Sequence, residues 1–148
     1  MSGAIAFTIP GRIGGKGRPR FSRTSGRAYT PSKTVSEEAL IRHYAQQAMW
    51  NRKPIEVAVA LDIRVFRNTP ASWSRKRKSE AHWVTGKPDA DNTVKLASDS
   101  MNGIVYGDDA QIASVHFERQ YRDGEQERVE VIVTPLVNVT ENMVKTWR

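Results

Sequence analysis

Five aspartates fall within 21 residues of this chain: Asp89, Asp91, Asp99, Asp108 and Asp109. The stretch runs Lys87-Pro-Asp-Ala-Asp-Asn-Thr-Val-Lys-Leu-Ala-Ser-Asp-Ser-Met-Asn-Gly-Ile-Val-Tyr-Gly-Asp-Asp-Ala-Gln111. Carboxylates gathered this densely repel one another unless a cation compensates them. Oxygen-only ligands suit a hard cation such as Mg²⁺ or Mn²⁺. No histidine lies in the stretch, which disfavours zinc. The alternating ligands and final glutamate of an EF-hand loop are also missing. Each piece has a plainer reading: Asp89 or Asp91 as a helix cap, Asp108-Asp109 as a turn after Gly107, Lys95 as an ion-pair partner of Asp91. Their coincidence in one segment favours chemistry.

A helix must present these groups. At about 100° per residue from Asp91, Lys95 falls near 40°, Asp99 near 80° and Asn102 near 20°. Val94, Ala97 and Met101 fall between about 240° and 300°. The spacing therefore predicts a helix over Asp91–Asn102, stopped by Gly103, with one face in the core and another carrying Asp91, Lys95 and Asp99. Around it, Ala4–Ile9 reads as a strand ending at Pro10. Thr34-Val-Ser-Glu37 has capping-box spacing for a helix reaching about Trp50, with a stripe of Ala39, Leu40, His43, Tyr44 and Ala48. Ile55 to Val65 alternates as a long strand. Pro70–Glu80 suggests a short basic helix capped by Ser72. Ile112–Tyr121 and Arg128–Thr134 read as a hairpin about Arg122-Asp-Gly-Glu. The order predicts a mixed α+β (α/β) single domain: a small mixed sheet of about four strands with two or three helices. It should span residues 1–136, including a basic loop at 11–33, and leave a tail at 137–148.

The chain has 148 residues, 23 of them lysine or arginine and 16 aspartate or glutamate, for a net charge of +7. The basic residues are segregated. Residues 1–36 hold seven and no acid: Arg12, Lys16, Arg18, Arg20, Arg23, Arg27 and Lys33. Residues 63–79 hold six more and no acid, among them the run Arg75, Lys76, Arg77 and Lys78. Such a layout fits a polyanion binder with an acidic site for something cationic. Nucleic acid is the natural partner, its phosphates met by the two basic segments. Phe21, Tyr29 and Trp73 lie among these charges and read more readily as loop anchors than as stacking surfaces. His43, His82 and His116 have no partner pattern and read as structural. With zero cysteines there is no disulfide framework and no thiolate metal site, which fits a reducing cytoplasm. No apolar run approaches a membrane span, and no export signal is visible.

The string Lys-Pro-Asp-x-Asp-Asn-x-x-Lys-x-x-x-Asp-x-x-Asn-Gly, followed by Asp-Asp-x-Gln-Ile, resembles the signature of RusA-type Holliday junction resolvases, over Lys87–Ile112. The resemblance implies a bacterial, phage or prophage endodeoxyribonuclease. It implies a cytoplasmic homodimer that requires Mg²⁺, with Mn²⁺ as substitute, and no organic cofactor. Such a dimer cuts opposed strands of a four-way DNA junction. The resemblance gives metal roles to Asp89, Asp91 and Asp109, and a catalytic or phosphate-contacting role to Lys95. Asp99 and Asp108 match further acidic positions. Lys87 joins the DNA-contacting set with Arg12, Lys16, Arg18, Arg20, Arg23, Arg27 and Arg75–Lys78. Two other readings stay open on the residues alone: a basic DNA-binding module with structural acids, and a magnesium-dependent phosphatase built on Asp-x-Asp. The phosphatase needs an apolar strand before its first aspartate, and Trp83–Pro88 makes a poor one.

Overall fold

The computed structural model describes residues 3–17 and 19–137. Arg18 and the tail beyond residue 137 lie outside the described residues. The elements are β1 (Ile5–Pro10), β2 (Arg20–Phe21), β3 (Ala28–Tyr29), α1 (Ser32–Met49), β4 (Val59–Arg67), α2 (Arg75–Glu80), α3 (Ala90–Ser100), β5 (Ile112–Tyr121) and β6 (Arg128–Pro135). The main sheet has the order β1-β6-β4-β5, and β2 pairs with β3 in a separate two-stranded ribbon. This is the mixed α+β architecture the sequence implies.

Period-2 alternation in β4 and β6 gives the sheet one apolar face. Val59, Leu61, Ile63 and Val65 of β4 and Val129, Val131 and Val133 of β6 are buried there with Ile5 and Ile9 of β1. The core closes with Ile41, Ala45 and Met49 from α1 and Leu96 and Ala97 from α3, followed by Met101. The helices thus cover one face of the sheet, and α3 is held from beneath while its outer side stays open.

The hairpin expectation is corrected. β5 and β6 run antiparallel, but β4 lies between them, parallel to β5 and antiparallel to β6. Two inter-strand spacings, about 9.6 Å, must therefore be crossed, and the Arg122–Glu127 connection does so along the end of β4. It is fastened there: Arg122 N donates to Arg67 O at 2.7 Å, Asn68 N to Glu127 at 2.9 Å and Thr69 N to Asp123 at 2.7 Å. Inserting β4 pairs both its edges, whereas a simple hairpin leaves one unmet.

Other local expectations shift for similar reasons. α1 begins at Ser32, ahead of the expected cap. Thr34 Oγ1 instead accepts from Gly17 N at 3.0 Å, and Glu37 from Gly14 N at 2.9 Å. These capping-type residues tie down the glycine-rich loop. The buried stripe of α1 is rotated to Thr34, Ile41, Ala45 and Met49, with Leu40 exposed. β4 starts at Val59, because Ile55 pairs with Tyr106 and Gln111 Nε2 binds the carbonyls of Ile55 and Val57. The cap of α2 is Ser74, which accepts from Arg77 N at 3.2 Å, not Ser72. α3 runs from Ala90 to Ser100, and Gly103 takes φ +76° just past its end. Its buried residues are Thr93, Leu96, Ala97, Ser98 and Ser100, a broader face than expected, and Val94 packs at its edge.

Candidate active site

α3 is the axis of the acidic site. Asp89 occupies its N-cap position without capping; its carboxylate instead accepts from Lys87 Nζ at 2.9 and 3.1 Å. Arg119 of β5 donates to the carbonyls of Gly86 and Pro88 at 3.2 and 3.0 Å, fixing the segment that leads into Asp89. Asp91 stands exposed in the first turn, and Lys95, also exposed, follows one turn on. Asp99 follows after another turn. About 12 Å of helix axis therefore separates Asp91 from Asp99, with Lys95 between them.

The second half of the site meets α3 at Asp99. A 3₁₀ turn, Asp109–Gln111, is closed by a capping box in which Asp108 N donates to Gln111 Oε1 at 3.0 Å. That turn hydrogen-bonds Asp109 to Asp99 and Asp108, which with the like charges pushes the Asp109 carboxyl up to about 6. Burial pushes Asp99 up as well. The bonds from Lys16 and Asp109 and the charges of Lys16 and Lys95 outweigh it, so Asp99 ends below the usual carboxylate range. Beneath them Tyr106 is fully buried and donates to Ser98 O at 2.6 Å. Burial, followed by the negative charge of Asp109, Asp99 and Asp108, drives its hydroxyl pKa upward.

Sequence reasoning placed Lys16 on DNA. The structure places its ammonium on Asp99. The glycine-rich loop delivers it: Lys16 N donates to Asn92 O at 3.0 Å. At Gly15 a Cβ would sit 2.7 Å from Asn92 Cβ and 3.0 Å from Pro88 Cβ, so only glycine allows the loop to lie on α3 this closely. The run Gly14-Gly15-Lys16-Gly17 was the available signal: glycines flanking a lone lysine mark a close backbone approach.

Among the other candidate cations, Arg12 forms a bidentate pair with Glu127 at 2.7 and 2.9 Å. Arg20, Arg23 and Arg27 are exposed on and around the β2–β3 ribbon. Phe21 and Tyr29, expected as loop anchors, are exposed there too. Arg75, Lys76 and Arg77 are exposed on α2, and Lys78 is half-buried. Among the described residues no group of three His, Cys, Asp or Glu side chains converges to hold an ion. Asp99 and Asp108 are the acidic neighbours that raise Asp109.

Residues 10–134 match the model of the endodeoxyribonuclease RusA family. That match spans most of the chain, including α3 and the Asp108-Asp109 turn. The chain belongs to the RusA family. It is therefore an endodeoxyribonuclease, a hydrolase of DNA phosphodiester bonds. An uncharacterised Bacillus subtilis protein, YqaN, is 30% identical over 138 residues, covering 87% of this chain and 94% of that protein. RusA-family resolvases depend in general on a divalent metal. The chemistry of the donors suits one, since they are oxygen-only, while Asp89 and Asp91 stand at the first turn of α3 and Asp109 lies beside Asp99 near its other end. No helix among the described residues is long and apolar enough to cross a membrane.

The raised Asp109 carboxyl has a stability consequence with a definite sign. The folded chain keeps this proton up to about pH 6, whereas the unfolded chain releases it near 3.8. Stability from this group therefore falls as pH rises through that window. Asp109→Asn should melt a few degrees above wild type at pH 7.5 and equal it at pH 4. Thermal unfolding at both pH values checks this; equal melting at pH 7.5 would show that Asp109 carries no repulsion.

Proposed function

We propose that this RusA-family chain is a Mg²⁺-dependent, structure-specific endonuclease that resolves four-way DNA junctions. The observation that carries the reading is the family motif mounted on α3, with Asp99 and Asp109 in contact and Lys16 and Lys95 beside them. Asp89, Asp91 and Asp109 are the residues assigned to hold the metal, with Asp99 and Asp108 completing the carboxylate face. When bound, Mg²⁺, or Mn²⁺ in its place, supplies an activated water and stabilises the leaving oxygen. The chain's own contribution is electrostatic. Lys95 lies between Asp91 and Asp99 and stabilises negative charge developing on the scissile phosphate. Lys16, held on Asp99, adds a second positive charge to the same face. The basic residues of the β2–β3 ribbon and α2 hold the flanking backbone.

A four-way junction presents symmetric strands, and two-fold proteins match two-fold substrates. The active form is accordingly a homodimer. The family and the absence of cysteine favour a cytoplasmic, phage- or prophage-encoded enzyme. The test is cleavage of labelled four-way junction, flap and linear duplex with Mg²⁺, Mn²⁺ or EDTA, on protein whose mass is fixed by sedimentation. Paired, symmetric cuts in the junction by a dimer, abolished by EDTA, are expected. Binding without cleavage would support the DNA-binding module instead. Cleavage by a monomer would remove the dimer from the account.

A further inference from the structure

A second recess lies outside the carboxylate face, between α2 and β5. It measures about 630 Å³, and Trp73, Arg77, Glu80, His82, Trp83 and Tyr121 are among its walls. Its aromatic groups are already arranged for stacking. The Arg77 guanidinium lies 3.8 Å over the Trp73 ring. Trp73 meets Tyr121 edge-on at 5.4 Å, and His82 meets Trp83 edge-on at 4.4 Å. Trp83 is nonetheless 57% exposed, an unusual state for an indole held on rigid backbone. That backbone is fixed to the sheet edge: Tyr121 N donates to His82 O at 2.8 Å and Val84 N to Arg119 O at 3.0 Å.

Trp83 also borders a second hollow of about 390 Å³, whose wall includes Ala90, the residue between Asp89 and Asp91. The exposed indole thus stands between the aromatic recess and the N-terminal end of the acidic face. Resting on the DNA-cleaving reading above, we infer that this recess receives a single unpaired nucleobase of the substrate, stacked on Trp83, beside the site of cleavage. The recess falls within the size of sites that enclose small planar ligands. Stacking on an aromatic ring is tolerant of base identity, because every base offers a π face. Charge decides between the base and other occupants. Arg77 and Glu80 both line the recess, so its walls carry no net charge for a phosphate to seek, while Glu80 can accept hydrogen bonds from the amino group of a base. A base therefore suits the recess better than a phosphate does.

The test uses three fluorescein-labelled DNAs, with Ca²⁺ replacing Mg²⁺ and binding read by anisotropy. One is a perfect duplex, one carries a single unpaired deoxyadenosine, and one carries an abasic residue at the same unpaired position. Wild-type protein should bind the unpaired base about 5- to 100-fold more tightly than the abasic residue. Trp83→Ala should bind those two alike, with its affinity for perfect duplex retained. Trp83→Phe should keep most of the preference. Wild type that does not distinguish base from abasic site would overturn the inference, as would Trp83→Ala that still does. An equal loss on all three DNAs in Trp83→Ala would also overturn it, since a scaffold or charge effect acts without regard to the base. Wild type that binds none of the three would defeat the DNA-cleaving reading itself, a result distinct from duplex binding without base preference.

Discussion

Asp91→Asn is expected to lower strand scission of a labelled four-way junction in Mg²⁺ by several orders of magnitude, with junction binding in Ca²⁺ unchanged or tighter. Asp91 is exposed in the first turn of α3 and supports no part of the core. Asparagine is nearly isosteric, so the fold should survive. The change removes one negative charge from a surface that faces a polyanion, so affinity should not fall. Water activation at the metal depends on that charge, so the chemical step should suffer. The contrast with a structural role is sharp: an exposed first-turn aspartate that merely favours the helix dipole contributes about 0.3–1 kcal/mol and leaves cleavage intact. Wild-type rates in Asp91→Asn would therefore remove Asp91 from the active site. Loss of binding together with cleavage would move it to DNA contact.

Replacing Arg75, Lys76 and Lys78 with glutamine should weaken junction and duplex binding to the same degree. The slope of log affinity against log salt should become shallower by up to about 2.7, at about 0.9 for each phosphate no longer neutralised. α2 has no buried residue, so the three changes leave the core untouched. Arg77 is spared because it stacks on Trp73. Phosphate contacts carry no base information, so selectivity for junctions should persist while affinity falls. Titrations at several salt concentrations on both DNAs measure this. An unchanged slope would mean that α2 faces solvent rather than DNA.

The two halves of the carboxylate face differed in how far the sequence revealed them. Asp91, Lys95 and Asp99 were readable because helical spacing is a local property, and each falls one turn after the last. Asp108 and Asp109 were visible as residues, but their contact with Asp99 was not. That contact depends on how the 3₁₀ turn returns to the end of α3, which Tyr106 and Gln111 set through bonds to Ser98, Ile55 and Val57. Lys16 lies 83 positions from Asp99 along the chain. No periodicity links the two; only the glycines that let the loop lie flat on α3 hinted at it. Trp83 gave no signal, since its use depends on a strand edge it joins by a single bridge to Gln120.

By itself, the sequence determined the types of the main-sheet strands and the helices, the alternation of β4, the carboxylate helix, the basic segments and the family. All of these follow from short-range spacing, composition or a contiguous motif. It read residues 11–33 as a loop, however, and missed the β2–β3 ribbon there. Tertiary structure alone decided that β4 separates β5 from β6. It also decided that Thr34 and Glu37 serve the loop instead of capping α1, and that Lys16 reaches Asp99. The physical reason is common to the three. Buried or half-buried backbone groups and carboxylates take the partner that leaves fewest of them unsatisfied across the whole molecule. A local pattern shows which partners are nearby in the chain, not which distant ones the packing brings closer.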